Sequence, residues 1–185
     1  MERKYSVFTD HVGTFCDRYC MGYSEKKFTI SEKFDRIKSI PLLSAVDLNM
    51  TTDYINGKDE IRESLKRTGL NVNCVMMDST ADRIFRQGSF SSLDERVREK
   101  AINDAKEAMD FAEELGCNIF AIWPGQDGYD YRFQADYIKE RELFTECLKE
   151  ISKYKPGMNI ALEYKPKEPR NHSYIDTMTG TLLMI

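Results

Sequence analysis

The sequence predicts an α/β fold with a parallel sheet, a (β/α)8 TIM barrel, of which roughly the N-terminal five βα units are present. Three observations carry this. Strand-like runs and helix-like runs alternate strictly, in the order βαβαβαβαβα, which calls for right-handed crossovers between parallel strands. Segments after the strands are long and carry Trp, Gly, Asp and Lys, whereas segments before them are short, the asymmetry of a barrel that works at its strand C-termini. No phosphate-binding G-x-G-x-x-G follows the first strand, so a doubly wound five-stranded sheet of similar length lacks its usual signature. A complete barrel needs about 250 residues. The sequence has 185 and closes on the apolar Leu182-Leu183-Met184-Ile185. Residues 1–185 are therefore expected to be the N-terminal part of a single TIM-barrel domain, with the rest of the barrel outside this sequence.

Each element has a local cause. Tyr5 to Thr9 reads as a first strand, followed by a polar loop with His11, Gly13 and Gly22. Thr29-Ile30-Ser31-Glu32 is a capping box opening a helix to about Ser39, with Phe34 and Ile37 on its apolar side and Pro41 beyond its end. Leu42 to Leu48 is a second strand. Lys58 to Thr68 is a second helix stopped by Gly69, and Leu70 to Met77 a third strand. The loop from Asp78 to Ser91, with Phe85, Gly88 and Phe90, is long enough to suggest a role of its own. Ser92-Leu93-Asp94-Glu95 reads as a second capping box. The helix it opens places Leu93, Val97, Ala101, Ala105, Ala108, Ala112 and Leu115 at three- and four-residue spacing, and Gly116 ends it. Asn118 to Trp123 is a continuous apolar strand of the buried parallel kind, broken by Pro124-Gly125-Gln126-Asp127-Gly128. Gln134 to Ser152 is a helix, and Pro156-Gly157 turns into a fifth strand, Ile160-Ala161-Leu162-Glu163-Tyr164-Lys165. A last helix is expected to start near Tyr174.

Composition narrows the function classes. Hydrophobic residues make up 41% and charged residues 31%, an ordinary globular mixture. The 27 Lys+Arg against 31 Asp+Glu give a net charge of −4 without basic blocks, which supports neither a nucleic-acid nor an anionic-membrane partner. No apolar run is long enough to span a bilayer and Met1 to Tyr5 shows no signal-peptide pattern. Cys16, Cys20, Cys74, Cys117 and Cys147 are odd in number and form no C-x-x-C, as expected of reduced, mostly structural thiols in a cytoplasm.

The chemistry is concentrated after the fifth strand. Alternation puts Ala161, Glu163 and Lys165 on one face, so a carboxylate and an ammonium stand together at a strand's C-terminal end. Two readings compete: a structural ion pair, or a metal-binding carboxylate beside a lysine that stabilises negative charge on a substrate oxygen. Trp123, the only tryptophan, is either a core aromatic or a wall on which the C–H face of a sugar stacks. His11 and His172, the only histidines, lie in loops beyond strand ends; either can line a site, and neither is expected to be a metal ligand. Phe85 and Phe90 can equally pin their loop, and Asp47 and Asn49 can equally cap or turn.

Glu163 to Arg170, E-Y-K-P-K-E-P-R, resembles the strand-five signature E-P-K-P-x-E-P-R of the xylose isomerase-like barrels, and its tyrosine resembles the L-rhamnose isomerase branch. Phe85 to Ser92 resembles that family's F-K-D-G-G-F-T-S loop. Ala112 to Gly116 resembles its A-E-L-G helix end, and Trp123 to Gly128 its W-G-G-R-E-G. Order and spacing agree from about residue 80 to 170; before residue 75 only the strand–helix pattern does. The resemblance implies aldose–ketose interconversion by a hydride shift on an open-chain sugar, with divalent cations (Mg²⁺, Mn²⁺ or Co²⁺). By position, Glu163 falls on a metal ligand and Lys165 on the lysine that contacts the carbonyl-end oxygen. Trp123 and Phe85 fall on the aromatic walls of the sugar site. A homo-oligomer, dimer or tetramer, is implied as well. There are two departures. Val46-Asp47-Leu48-Asn49 lacks the family's ring-opening histidine, so either another group opens the ring, with His11 a candidate, or the substrate is handled differently. The remaining metal ligands belong to later strands. Three alternatives stand beside an isomerase: a ketose 3-epimerase of the same superfamily, a metal nuclease on the same barrel, and an inactive barrel fragment.

Overall fold

The structure is a computed structural model and describes residues 3–12, 28–54, 57–80 and 82–185. Gly13, Gly22, Cys16 and Cys20 lie outside the described residues. Five strands form one parallel sheet: β1 (Tyr5–Phe8), β2 (Leu43–Asn49), β3 (Asn71–Asp78), β4 (Ile119–Trp123) and β6 (Asn159–Leu162), adjacent in that order. The helices between them are α1 (Ile30–Lys38), α2 (Lys58–Thr68), α3 (Glu95–Glu114) and α4 (Tyr137–Tyr154). A small antiparallel pair, β5 (Gly128–Tyr129) and β7 (His172–Ser173), precedes a short α5 (Met178–Leu182). Sequential strand order with helical crossovers is the wall of a barrel.

The two sheet faces differ because side chains alternate along each strand. Val46 and Leu48 of β2, Val75 and Met77 of β3, and Phe120 and Ile122 of β4 pack into the main core with Phe34 and Ile37 of α1, Ile61 of α2 and Phe144 of α4. Ala101, Ala105, Ala108 and Ala112 are fully buried, letting α3 approach the sheet closely. The opposite face has a minor cluster of Cys74, Met76 and Ala121, with Phe8 and Trp123 beside it. Asp47 belongs to that face. It accepts from Ser6 Oγ at 2.7 Å and from Asn73 Nδ2 at 2.7 Å, tying β1, β2 and β3 together rather than making a turn.

Helix ends follow local rules with informative exceptions. Thr29 accepts from Glu32 N while Glu32 accepts from Thr29 N, the capping box expected of α1. Gly69 caps α2 in the left-handed region at φ 67°, which only glycine adopts without strain. The predicted capping box at Ser92 is replaced by Asp94, whose carboxylate accepts from Arg96 N at 3.0 Å and so puts a full negative charge at the N-terminus of α3. Helix α4 starts three residues later than Gln134, because the Gln134 side chain closes the preceding loop on Asp130 N and Tyr131 N, leaving Asp136 as cap. The helix expected near Tyr174 begins at Met178. Tyr174 is engaged elsewhere: its N–H donates to Asp127 O at 3.1 Å and its hydroxyl to Glu140 Oε2 at 2.6 Å. Cys74, Cys117 and Cys147 are buried free thiols.

Candidate functional site

The C-terminal ends of the strands surround a small open groove of about 260 Å³. Phe8, Asp10 and His11 reach it from the end of β1, Asn49 from β2, Met76 and Asp78 from β3, Trp123 from β4, and Glu163 and Lys165 from beyond β6. The regular strand β6 ends at Leu162, yet Glu163 N still donates to Ile122 O at 3.0 Å. This continues the β4–β6 ladder by one residue and keeps Glu163 on the open face with Ala161. Lys165 then leaves the sheet, its N–H donating to Ile175 O at 3.0 Å.

Lys165 is aimed by two partners. Its ammonium stands 5.0 Å from the Trp123 ring centroid, a cation–π distance, and 3.4 Å from Glu168 Oε2. Glu163 is exposed. The segment after Lys165 is strapped across the strand ends. Arg170 Nη1 donates to Asp130 Oδ2 at 2.7 Å and Asn171 N to Asp130 Oδ1 at 3.0 Å, and these contacts hold the Asp130 carboxyl below its ordinary range. Gly128 lies where β5 meets β7; a Cβ there would stand 2.0 Å from His172 O, so no side chain fits.

Two buried carboxylates support the rim. Asp127 is fully buried and accepts from Ser89 N at 2.9 Å, from Ser91 N at 2.7 Å and from the Ser89 hydroxyl, pinning residues 88–91 against the end of β4. Burial raises its pKa, and these donors oppose the rise. Asp53, in the turn after β2, accepts from Asn49 N at 2.9 Å, from the Thr9 hydroxyl and from Lys33 Nζ at 3.3 Å. Burial raises its pKa as well, against Thr9, Asn49 and Lys33.

Five of the residues singled out in the sequence converge in the groove: Glu163, Lys165, Trp123, His11 and Asn49. Phe85 does not line it. The ring is 2% exposed, packs in the main helix-side core and receives the Lys100 ammonium 5.4 Å from its centroid. The short helical turn Arg83–Phe85 folds it inward, so it braces the loop instead of walling the groove. His172 also lies outside the lining and stacks on Tyr129 with centroids 4.8 Å apart. Asp10, Asp78 and Asn49 complete the polar lining. Their sequence signal was only a polar residue just beyond a strand, which turns and caps share. Among the described residues no three His, Cys, Asp or Glu side chains gather as a metal site would require. The carboxylates that line the groove are those of Asp10, Asp78 and Glu163.

Comparison with known proteins agrees with this architecture. Residues 38–180 match the family described as xylose isomerase-like TIM barrel. The xylose isomerase of Thermus thermophilus is 34% identical over 130 residues, 67% of this chain and 33% of that enzyme, so the chain spans about a third of that relative's length. A D-tagatose 3-epimerase-like protein superposes with a TM-score of 0.72 at 16% identity, over 99% of this chain and 60% of its own. The 3-keto-D-glucoside 4-epimerase from E. coli does so with 0.68 at 16% identity, over 88% and 60%. At such identities these two likenesses speak for the fold alone. No described helix is long and apolar enough to cross a membrane.

Proposed function

Because the chain belongs to the xylose isomerase-like TIM-barrel family, we propose that it is the N-terminal part of a metal-dependent aldose–ketose sugar isomerase. The observation that carries this reading is the Lys165 ammonium over Trp123, beside Glu163, in one groove at the strand C-termini. In the proposed site Lys165 donates to the substrate oxygen on which negative charge develops as the carbonyl is polarised. Placing a charge there before reaction stabilises the transition state without reorganisation. Trp123 offers an apolar face to the sugar's C–H groups and keeps water from the carbons between which hydrogen moves. His11 takes and returns the proton when the sugar ring opens, since Asn49 at the end of β2 cannot. Glu163 contributes one hard oxygen ligand to a divalent cation, Mg²⁺, Mn²⁺ or Co²⁺, whose other ligands come from outside the described residues. That cation supplies Lewis-acid polarisation when bound. A cytoplasmic homodimer or homotetramer goes with this reading, as do a small sugar as partner and neither nucleic acid nor membrane.

A ketose 3-epimerase is the competing reading on the same framework. It exchanges a proton at one carbon and has no need of Lys165. The complete protein, turned over in D₂O with a panel of sugars, separates the two. Retention of the substrate hydrogen in the product indicates a hydride shift. Solvent deuterium at the epimerised carbon would sink the isomerase assignment.

A further inference from the structure

The groove wall where β1 and β2 end has no part in the chemistry assigned to Lys165 and Glu163. Asp10, two residues beyond β1, lines it. Its carboxylate is held from two sides: Asn49 Nδ2 donates to Oδ2 at 2.8 Å and Thr52 Oγ1 to Oδ1 at 2.7 Å. Asn49 is itself fixed, its N–H on Asp53 Oδ2 at 2.9 Å and its Oδ1 accepting from Thr51 N at 3.0 Å. Lys33 Nζ stands 3.8 Å from Asp10 Oδ1 and 3.3 Å from Asp53 Oδ1, so one cation serves two carboxylates. An ionised carboxylate has about four acceptor positions. Asn49 and Thr52 occupy two, and the Asp10 side chain is 31% exposed at the groove.

We infer that Asp10 is a specificity-determining anchor for the hydroxyl-bearing end of an unphosphorylated sugar, and that it rejects substrates carrying a phosphate there. The inference rests on the sugar-site reading above. Hydroxyls donate to a charged acceptor more strongly than to a neutral one, and this acceptor is oriented before any ligand arrives. The same charge repels a phosphate, which has no hydrogen to give at the contact, so one group supplies both attraction and rejection. The carbonyl end then faces Lys165 and the polyol end faces Asp10, with Trp123 lining the groove they share.

Calorimetry on the complete protein tests this with xylitol and sorbitol, unreactive open-chain polyols, and with their terminal phosphate monoesters. Melting curves are recorded for wild type, Asp10→Asn and Asp10→Ala. Wild type is expected to prefer the polyols. Asp10→Ala should weaken polyol binding about ten- to a hundred-fold, the loss of a hydrogen bond to a charged group. Asp10→Asn should recover part of that affinity and narrow the gap between polyol and phosphate. Wild-type affinities in both variants would overturn the anchor. An equal loss for polyol and phosphate with a lowered melting temperature would overturn it too, leaving Asp10 a structural tie of Asn49 and Thr52. Either result with sugar turnover retained leaves the isomerase reading standing. A wild-type protein that neither binds polyols nor turns over any sugar ends both.

Discussion

Lys165 shows how little a residue's type says about its role until its surroundings are known. A strand-end lysine is usually solvated, and its Glu168 partner at 3.4 Å would pass for a surface ion pair of little energetic weight. The Trp123 ring beneath the ammonium changes that reading, because the aromatic face holds the cation without neutralising it. Replacing Lys165 by Met keeps the stem that covers the ring and removes only the charge. In the complete protein Lys165→Met is expected to cut turnover by about 10²-fold or more while metal affinity stays within a few-fold. Isothermal titration with Mn²⁺ beside steady-state kinetics checks this, and a collapse of metal affinity would make the lysine structural. Burial decides the fate of other reactive groups. It pushes the Cys74 thiol up to about 12 and the Cys147 thiol up to about 12, so both are protonated packing groups rather than nucleophiles.

Among the elements, the rim is set by loops that buried carboxylates hold in shape. Asp127 gathers Ser89 and Ser91 to the end of β4. Burial is the largest influence on its acidity and raises its pKa. The sign of the linkage follows. A carboxyl with a raised folded-state pKa binds its proton more tightly in the native state. Its contribution to stability is present below the unfolded value, near 3.8, and is lost as pH climbs through the raised one. Asp127→Asn has no such titration. The stability of wild type relative to Asp127→Asn should therefore fall as pH rises from below 3.8 through the acid range. Urea melts across that range measure it, and a difference that stays constant with pH would exclude Asp127 as the titrating group. The Arg170–Asp130 contact lies on the strap that carries Lys165, so this loop too is held by a specific bond.

At the scale of the whole molecule, the sheet has one finished face and one open one. Among the described residues the helix side buries a continuous core, whereas the other side carries a minor apolar cluster of Cys74, Met76 and Ala121 and leaves Ala161 and Glu163 exposed. Among the described residues β1 and β6 each pair on one side only, leaving two sheet edges of the kind that invite association. On the proposal that it is the N-terminal part of a barrel, the 185-residue chain by itself is expected to melt broadly and to self-associate in analytical ultracentrifugation. A monodisperse monomer with a sharp two-state transition would contradict that proposal.

The sequence by itself determined the features that local physics governs. The Thr29–Glu32 capping box, the alanine stripe of α3 and the Gly69 stop each act within a turn or two of helix, and strand–helix alternation then limits topology to a few choices. The run from Ile160 to Glu163 marked Glu163 for the same reason, since alternation along an extended chain is a local rule. Only the tertiary structure decided that Phe85 turns into the helix-side core. It also decided that Tyr174 bonds to Asp127 and Glu140 instead of opening a helix and that Asp10 and Asn49 share one groove with Lys165. Those outcomes depend on contacts between residues tens of positions apart, such as Asn49 with Asp10 and Ser89 with Asp127. Many arrangements of a polar loop residue cost nearly the same locally, and the packed sheet selects among them.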